Sequence, residues 1–106
     1  MRSVNKKYKL QYLPVFSDDL AEAAIYISKV LHNPDVAKRL IDDTEKAILE
    51  RLNAPLSFQP YQSVRKRKHP YYRINIRNFS VFYVVIDDIM EVRRFVYSKR
   101  DIDSLL

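Results

Sequence analysis

The apolar residues of this chain change their spacing midway, and that change restricts the fold more than any other feature. From Leu20 to Leu52 they recur every three or four residues; after Gln62 they alternate or gather in short blocks. Leu20, Ala23, Ala24, Ile27, Val30 and Leu31 form one helical stripe. Ser17 is the expected N-cap of this helix, Asp18 and Asp19 favour its N-terminus, and it should run to about His32. Asn33-Pro34 is a second start signal, and Val36, Ala37, Leu40, Ile41, Thr44, Ile48 and Leu52 carry a second helix to about Leu52. So short a link makes the two an antiparallel hairpin.

The remainder reads as sheet. Residues 8–13 alternate well enough for a first strand, stopped by Pro14, and residues 53–62, with Pro55 and Pro60, form an irregular connection. Residues 64–68, 71–77, 81–86 and 92–97 are rich in β-branched and aromatic side chains, with turns at His69-Pro70, Asn78-Phe79 and Asp87-Asp88. The tail, residues 98–106, is expected to add a helical turn or two through Ile102, Leu105 and Leu106. The expected fold is α+β in the order β-α-α-β-β-β-β, a helical hairpin packed on one face of a mostly antiparallel sheet, as a single domain over residues 1–106. Tyr72, Ile74 and Ile76 then point towards the helices, and Arg73, Asn75 and Arg77 towards an open face.

Charge is distributed unevenly along this pattern. Residues 51–86 contain Arg51, Arg65, Lys66, Arg67, Lys68, Arg73 and Arg77 and no acid, whereas the segments on either side nearly balance, so the net charge of +6 arises there. A basic sheet face implies a polyanionic partner, most often nucleic acid. The chain has no glycine, which excludes a P-loop or dinucleotide fingerprint and leaves phosphate binding to side chains. It has no cysteine, which excludes disulfides, iron–sulfur clusters and thiol nucleophiles. Two distant histidines make a metal site improbable, and no metal or other cofactor is expected. No apolar run approaches the roughly 20 residues that cross a bilayer, and the basic start leads only into a short strand pattern. The expectation is a cytoplasmic protein without a membrane partner.

The run Arg65-Lys66-Arg67-Lys68 is the strongest local signal, a phosphate-tracking patch or else a solvated edge strand whose cations suppress aggregation. Tyr71 is a candidate for stacking on bases, while Tyr72 reads as core. His69, in the turn beside the run, is a candidate for proton transfer or simple exposure. Past the last strand, Tyr97, Lys99 and Arg100 bring a phenol together with two cations. Such a set serves phosphoryl transfer without metal, the cations stabilising the pentacoordinate phosphate and lowering the phenol pKa. The bland alternative leaves those cations solvated and Asp101 near the start of a last turn.

The span from Tyr72 to Asp87, with its arginine-bearing strand, the Ser80-Val81-Phe82-Tyr83 block and an acidic turn, is followed by Arg93-Arg94-Phe95-Val96-Tyr97-Ser98-Lys99-Arg100-Asp101. Together with Ala37 early in the second helix and Leu52-x-x-Pro55 after it, this resembles the RelE/ParE-type toxins of bacterial type II toxin–antitoxin modules over nearly the whole chain. For a RelE-like member the resemblance implies ribosome-dependent mRNA cleavage by attack of the 2′-OH, with ribosome and mRNA as partners. For a ParE-like member it implies inhibition of DNA gyrase by binding. Either is neutralised by a cognate antitoxin; the first expectation is the ribosome-dependent mRNA endoribonuclease, with gyrase inhibition by binding as the alternative. By position, Arg73, Arg77 and Arg100 match basic residues of the nuclease site, with Tyr97 or His69 to move protons and Arg65, Lys66, Arg67, Lys68, His69, Tyr71 and Lys99 to hold RNA. Two departures count against cleavage. Ser80 stands where nuclease members commonly carry arginine, and Leu106 stands where some place a tyrosine.

Overall fold

The computed structural model of the chain describes residues 7–63 and 66–106. In chain order these form β1 (Lys9–Tyr12), α1 (Pro14–Ile25), α2 (Pro34–Arg51), β2 (Tyr72–Ile76), β3 (Phe79–Ile86), β4 (Ile89–Tyr97) and the single turn α3 (Ile102–Leu105). The strands lie in the order β1-β4-β3-β2, with β1 parallel to β4 and the other pairs antiparallel. The helical hairpin covers one face, the layering that the change of period implies. The expected strand at residues 64–68 differs. Val64 and Arg65 lie outside the described residues, and Lys66, Arg67 and Lys68 belong to irregular chain. A run of cations offers no alternating apolar set for a sheet to bury.

α1 begins three residues before the expected cap. Pro14 occupies the first helical turn, Leu13 is the cap without a side-chain bond, and the backbone N–H groups of Phe16 and Ser17 donate to the Leu13 carbonyl. Proline suits that position because its fixed φ is helical and its missing N–H would have no partner there. Phe16 thereby enters the core at 3% exposed, while Ser17 caps nothing and Asp18 and Asp19 fall beyond the first turn. At its other end α1 widens into a π-helical turn, Tyr26–Val30, with Leu31 N donating to Tyr26 O at 3.1 Å. α2 starts as the sequence implies, Asn33 Oδ1 accepting from Val36 N at 3.3 Å ahead of Pro34.

Without glycine, the chain reverses at residues that carry a Cβ. His32, Arg77 and Asp87 have φ of 53°, 54° and 56°. Asp87 tolerates this conformation through its short polar side chain, whereas arginine has no such local compensation. Arg77 and Asn78 form the two-residue turn between β2 and β3, so Arg77 leaves the strand's alternation.

The sheet is buried on both faces. Towards the helices, Tyr72, Ile74, Ile76, Val81, Tyr83, Met90, Val92 and Phe95 pack with Phe16, Leu40 and Ile48. Phe82 faces Arg94 and Tyr83 faces Val92, so Arg93 is the extra residue of a β-bulge. The bulge lets Val92 and Phe95, three residues apart, reach the same core. The opposite face carries a second cluster, Tyr71, Phe82, Val84, Val96 and Ile102, flanked by Tyr61, Leu105 and Leu106. The face expected to be open and basic is covered by apolar side chains. The inner strand β3 accordingly reads as a nearly continuous apolar run, interrupted by Ser80.

Arg51, the first cation of the acid-free stretch, serves the fold. It donates to Tyr83 Oη at 2.9 Å and to the Arg73 carbonyl at 3.3 Å, and lies 3.5 Å from the Phe58 ring centroid. Tyr83 Oη donates in turn to the Pro55 carbonyl at 2.7 Å, which fastens the irregular connection to the sheet. Among the described residues no helix is long and apolar enough to cross a membrane.

Candidate functional site

A cleft of about 870 Å³ opens where the helical hairpin meets the end of the sheet. Its apolar wall comes from Ala23, Ile27, Leu31, Val36, Phe79 and Leu105, and its polar groups from Asp19, Glu22, Arg77, Asn78, Arg94, Tyr97 and Arg100. Three of the four residues nominated for catalysis therefore meet here: Arg77 from the β2–β3 turn, Tyr97 from the end of β4, and Arg100 just beyond it.

Their environments differ. Arg77, turned towards the helices by its left-handed backbone, forms an ion pair with Asp43 of α2. Tyr97 packs edge-on against Phe79, ring centroids 5.7 Å apart, and remains 39% exposed. Arg100 is exposed and has no side-chain partner among the described residues, which makes it the uncompensated cation of the cleft. Arg94 is held by Asp19, whose Oδ2 accepts from Nε at 2.7 Å and whose Oδ1 accepts from Nη2 at 3.2 Å. This hydrogen-bonded pairing raises the Arg94 pKa against the opposing effect of burial, so its charge is permanent.

Arg73 does not join them. It lies on the far face, its guanidinium 5.7 and 5.6 Å from the ring centroids of Tyr61 and Phe82. Its Nε donates to Ser80 Oγ at 2.9 Å, and Ser80, fully buried, also donates to Asn75 Oδ1 at 3.2 Å and bonds Ser98 Oγ at 2.9 Å. The shared open face expected for Arg73 and Arg77 is thus corrected, because the turn conformation carries Arg77 to the other side. Ser80 fits its buried place because its hydroxyl bonds three neighbours, Arg73, Asn75 and Ser98.

None of the nominated RNA-holding residues among those described lines the cleft. Arg65 lies outside the described residues; Lys66, Lys68 and Lys99 are exposed, and His69 is half-buried. Tyr71 is 6% exposed and receives an N–H from Arg93 at 3.5 Å, so its ring is not free to stack on a base. For Arg93, burial lowers the pKa, but bonds to Tyr71 and Glu91 outweigh it and the net shift is upward. Among the described residues no group of three or more His, Asp or Glu is placed to hold a metal.

The cleft is suited to gripping more than to proton transfer. Its guanidinium groups match carboxylate or phosphate oxygens, and its rim continues into Ile25, Tyr26, Val30 and Leu31, each more than half exposed. Sequence patterning missed Asp19, Arg94 and the π-helical rim. The signal for Asp19 was Pro14: taken as a helix start, it puts Asp19 on the inner surface of α1 instead of at its tip.

Comparison with known proteins agrees with this architecture. The structure is similar to a chain of the chromosomal ParDE TA system from P. aeruginosa, with a TM-score of 0.73 and 14% identity over 89% of this chain and 99% of that one. It is also similar to a chain of the E. coli DinJ-YafQ toxin-antitoxin complex, with a TM-score of 0.51 and 12% identity over 86% of this chain and 92% of that one. At such identities the likeness concerns the fold. No curated protein sequence matches the chain. Residues 10–102 match the family model described as ParE toxin of type II toxin-antitoxin system, parDE. The chain therefore belongs to the ParE toxin family.

Proposed function

We propose that this chain is the toxin of a type II toxin–antitoxin pair, that it acts by binding DNA gyrase without cutting nucleic acid, and that a cognate antitoxin holds it inactive. Family membership supports the toxin role, and the parDE pairing in the family's description supports an antitoxin partner. One observation favours binding over mRNA cleavage on the ribosome. Attack of a 2′-OH on phosphate needs its cations and its proton-moving group around one phosphorus atom. Arg73 is separated from Arg77, Tyr97 and Arg100 by the sheet itself, and its own face is filled by Ser80, Phe82 and Ile102.

The cleft supplies what a binding inhibitor requires: apolar walls, an exposed apolar rim, and the free Arg100 beside the tethered Arg77 and Arg94. Arg77, Tyr97 and Arg100 then act as contact residues. Translation with purified ribosomes, with mRNA 5′ ends mapped in the presence of the chain, tests the choice. Uncut mRNA is expected. Codon-spaced cuts that disappear in Arg73→Ala or Arg100→Ala would refute the proposal and establish the nuclease reading.

A further inference from the structure

Phe95, Val96 and Tyr97 all line the cleft, although successive side chains of a strand turn to opposite faces of its sheet. Phe95 packs in the core under the helices, and Val96 in the cluster on the far face. A cavity bordered by three residues in succession therefore runs along the edge of β4. No strand covers that edge. β1 pairs with β4 as far as Val92, where Leu13 N donates to Val92 O at 2.9 Å, and Pro14 then turns the chain into α1.

The backbone bonds fix which groups face the opening. Ser98 N donates to Asn78 O at 2.8 Å and Val96 lies opposite Ser80, so Val96 and Ser98 turn their backbone groups towards β3. Phe95 and Tyr97 turn theirs outwards. Two of these four outward groups are engaged: Phe95 N donates to Asp19 Oδ2 at 3.1 Å, and Tyr97 O accepts from Arg100 N at 3.0 Å. The Phe95 carbonyl and the Tyr97 N–H have no partner among the described residues. A carbonyl and the N–H two residues further on are the pair that one residue of a parallel strand bonds. An antiparallel neighbour needs both groups of one residue, or else Phe95 N with Tyr97 O, which are already bound.

We propose that the cleft takes an extended, acidic protein segment as an added strand, parallel to β4 and in line with β1. One residue of the segment, opposite Val96, donates its N–H to Phe95 O and accepts from Tyr97 N. Its neighbours place aliphatic side chains against Ala23, Ile27 and Phe79 and a carboxylate on Arg100, whose backbone N–H is tied to Tyr97 O. Arg77 and Arg94 already hold Asp43 and Asp19, which leaves Arg100 to select the acid. A phosphodiester does not match this edge, because Phe95 O needs a donor and a phosphodiester has none. The proposal rests on the cleft being a binding surface for protein, but it does not depend on gyrase being the protein bound.

A capped peptide of alternating valine and glutamate, and a twin N-methylated at every residue, serve as NMR probes for the isotope-labelled full chain. At saturation the first peptide is expected to slow hydrogen exchange of the Tyr97 amide at least about tenfold, and the twin to leave it unchanged. Arg100→Glu should weaken binding of the first peptide about tenfold, the value of a charge-assisted bond. A nitroxide on the peptide's amino end should broaden Leu13 and Val92 more than Ser98 and Lys99, and one on its carboxyl end the reverse. Binding that leaves Tyr97 unprotected, equal binding of the twin, the opposite pattern of broadening, or no binding at all would overturn the proposal. Protection of Tyr97 by the peptide, together with supercoiling by gyrase that the chain does not arrest, would uphold the added strand and refute only the choice of target.

Discussion

Replacing Asp19 by alanine removes the side chain that joins the two layers of this fold. Asp19 accepts two bonds from Arg94 and a third, at 3.1 Å, from the backbone N–H of Phe95. β1 pairs with β4 only as far as Val92, so without Asp19 the Phe95 N–H faces the end of a sheet edge with no strand beside it. The Asp19 and Arg94 side chains are 13% and 25% exposed. Breaking a fully buried pair costs about 3–5 kcal/mol, and the residual exposure of Arg94 places this loss near the lower bound, about 3 kcal/mol. For a domain of this size that corresponds to a fall in Tm of about 12–20 °C. Asp19→Asn keeps an acceptor for Phe95 and should lose about half as much. A double-mutant cycle with Arg94→Met should return a coupling of about 2 kcal/mol. Urea unfolding followed by circular dichroism measures all three. A loss under about 1 kcal/mol, or one that vanishes in high salt, would identify an ordinary surface pair and refute this account of the joint.

Three further outcomes follow from single side chains. Thr44 is fully buried with Oγ1 unpartnered, so Thr44→Val should leave stability unchanged or raise it by about 1 kcal/mol, and a comparable loss in urea unfolding would contradict the assignment. Burial raises the Tyr83 pKa above 10.0 against the lowering effect of Arg51, and Tyr12 is raised in the same sense, so the folded state retains protons that the unfolded chain has lost. This contribution is complete below pH about 10 and is lost as pH rises through the elevated pKa. The alkaline decline in Tm should be shallower in Tyr83→Phe, and an unchanged slope would refute the linkage. Arg77→Gly relieves the left-handed backbone at the expense of an exposed ion pair worth about 0–1 kcal/mol, so stability should stay within about 1 kcal/mol of the parent while inhibition of the target weakens.

Periodicity carried most of the fold. The helical stripes, the Asn33-Pro34 start and the inward set of β2 were legible because each rests on local chemistry repeated over several residues. What escaped the pattern was set by single residues acting against it. Arg77 and Arg93 leave the strand alternation through a turn and a bulge, and no spacing rule marks either. The cover over the far face depends on residues 102–106 folding back onto β3, a long-range contact that a short tail does not announce. Cationic composition misled in the same way. Arg51, Arg67 and Arg73 have stems and planar heads that pack on aromatic rings, so these three cations of the stretch serve structure before any ligand. For the site, sequence named Arg77, Tyr97 and Arg100 correctly as neighbours but on a surface other than the one they occupy.

The central claim, that the cleft is a gripping surface for gyrase, is met most directly by gyrase-catalysed supercoiling of relaxed plasmid titrated with the purified chain and with Arg100→Glu. Arg100 has no partner to lose within the described fold, so the variant should unfold at the same urea concentration as the parent. The account predicts that the parent arrests supercoiling and that Arg100→Glu requires at least about tenfold more protein to do so. Supercoiling that proceeds unaffected by the parent chain, or arrest to which Arg100→Glu makes no difference, would contradict it.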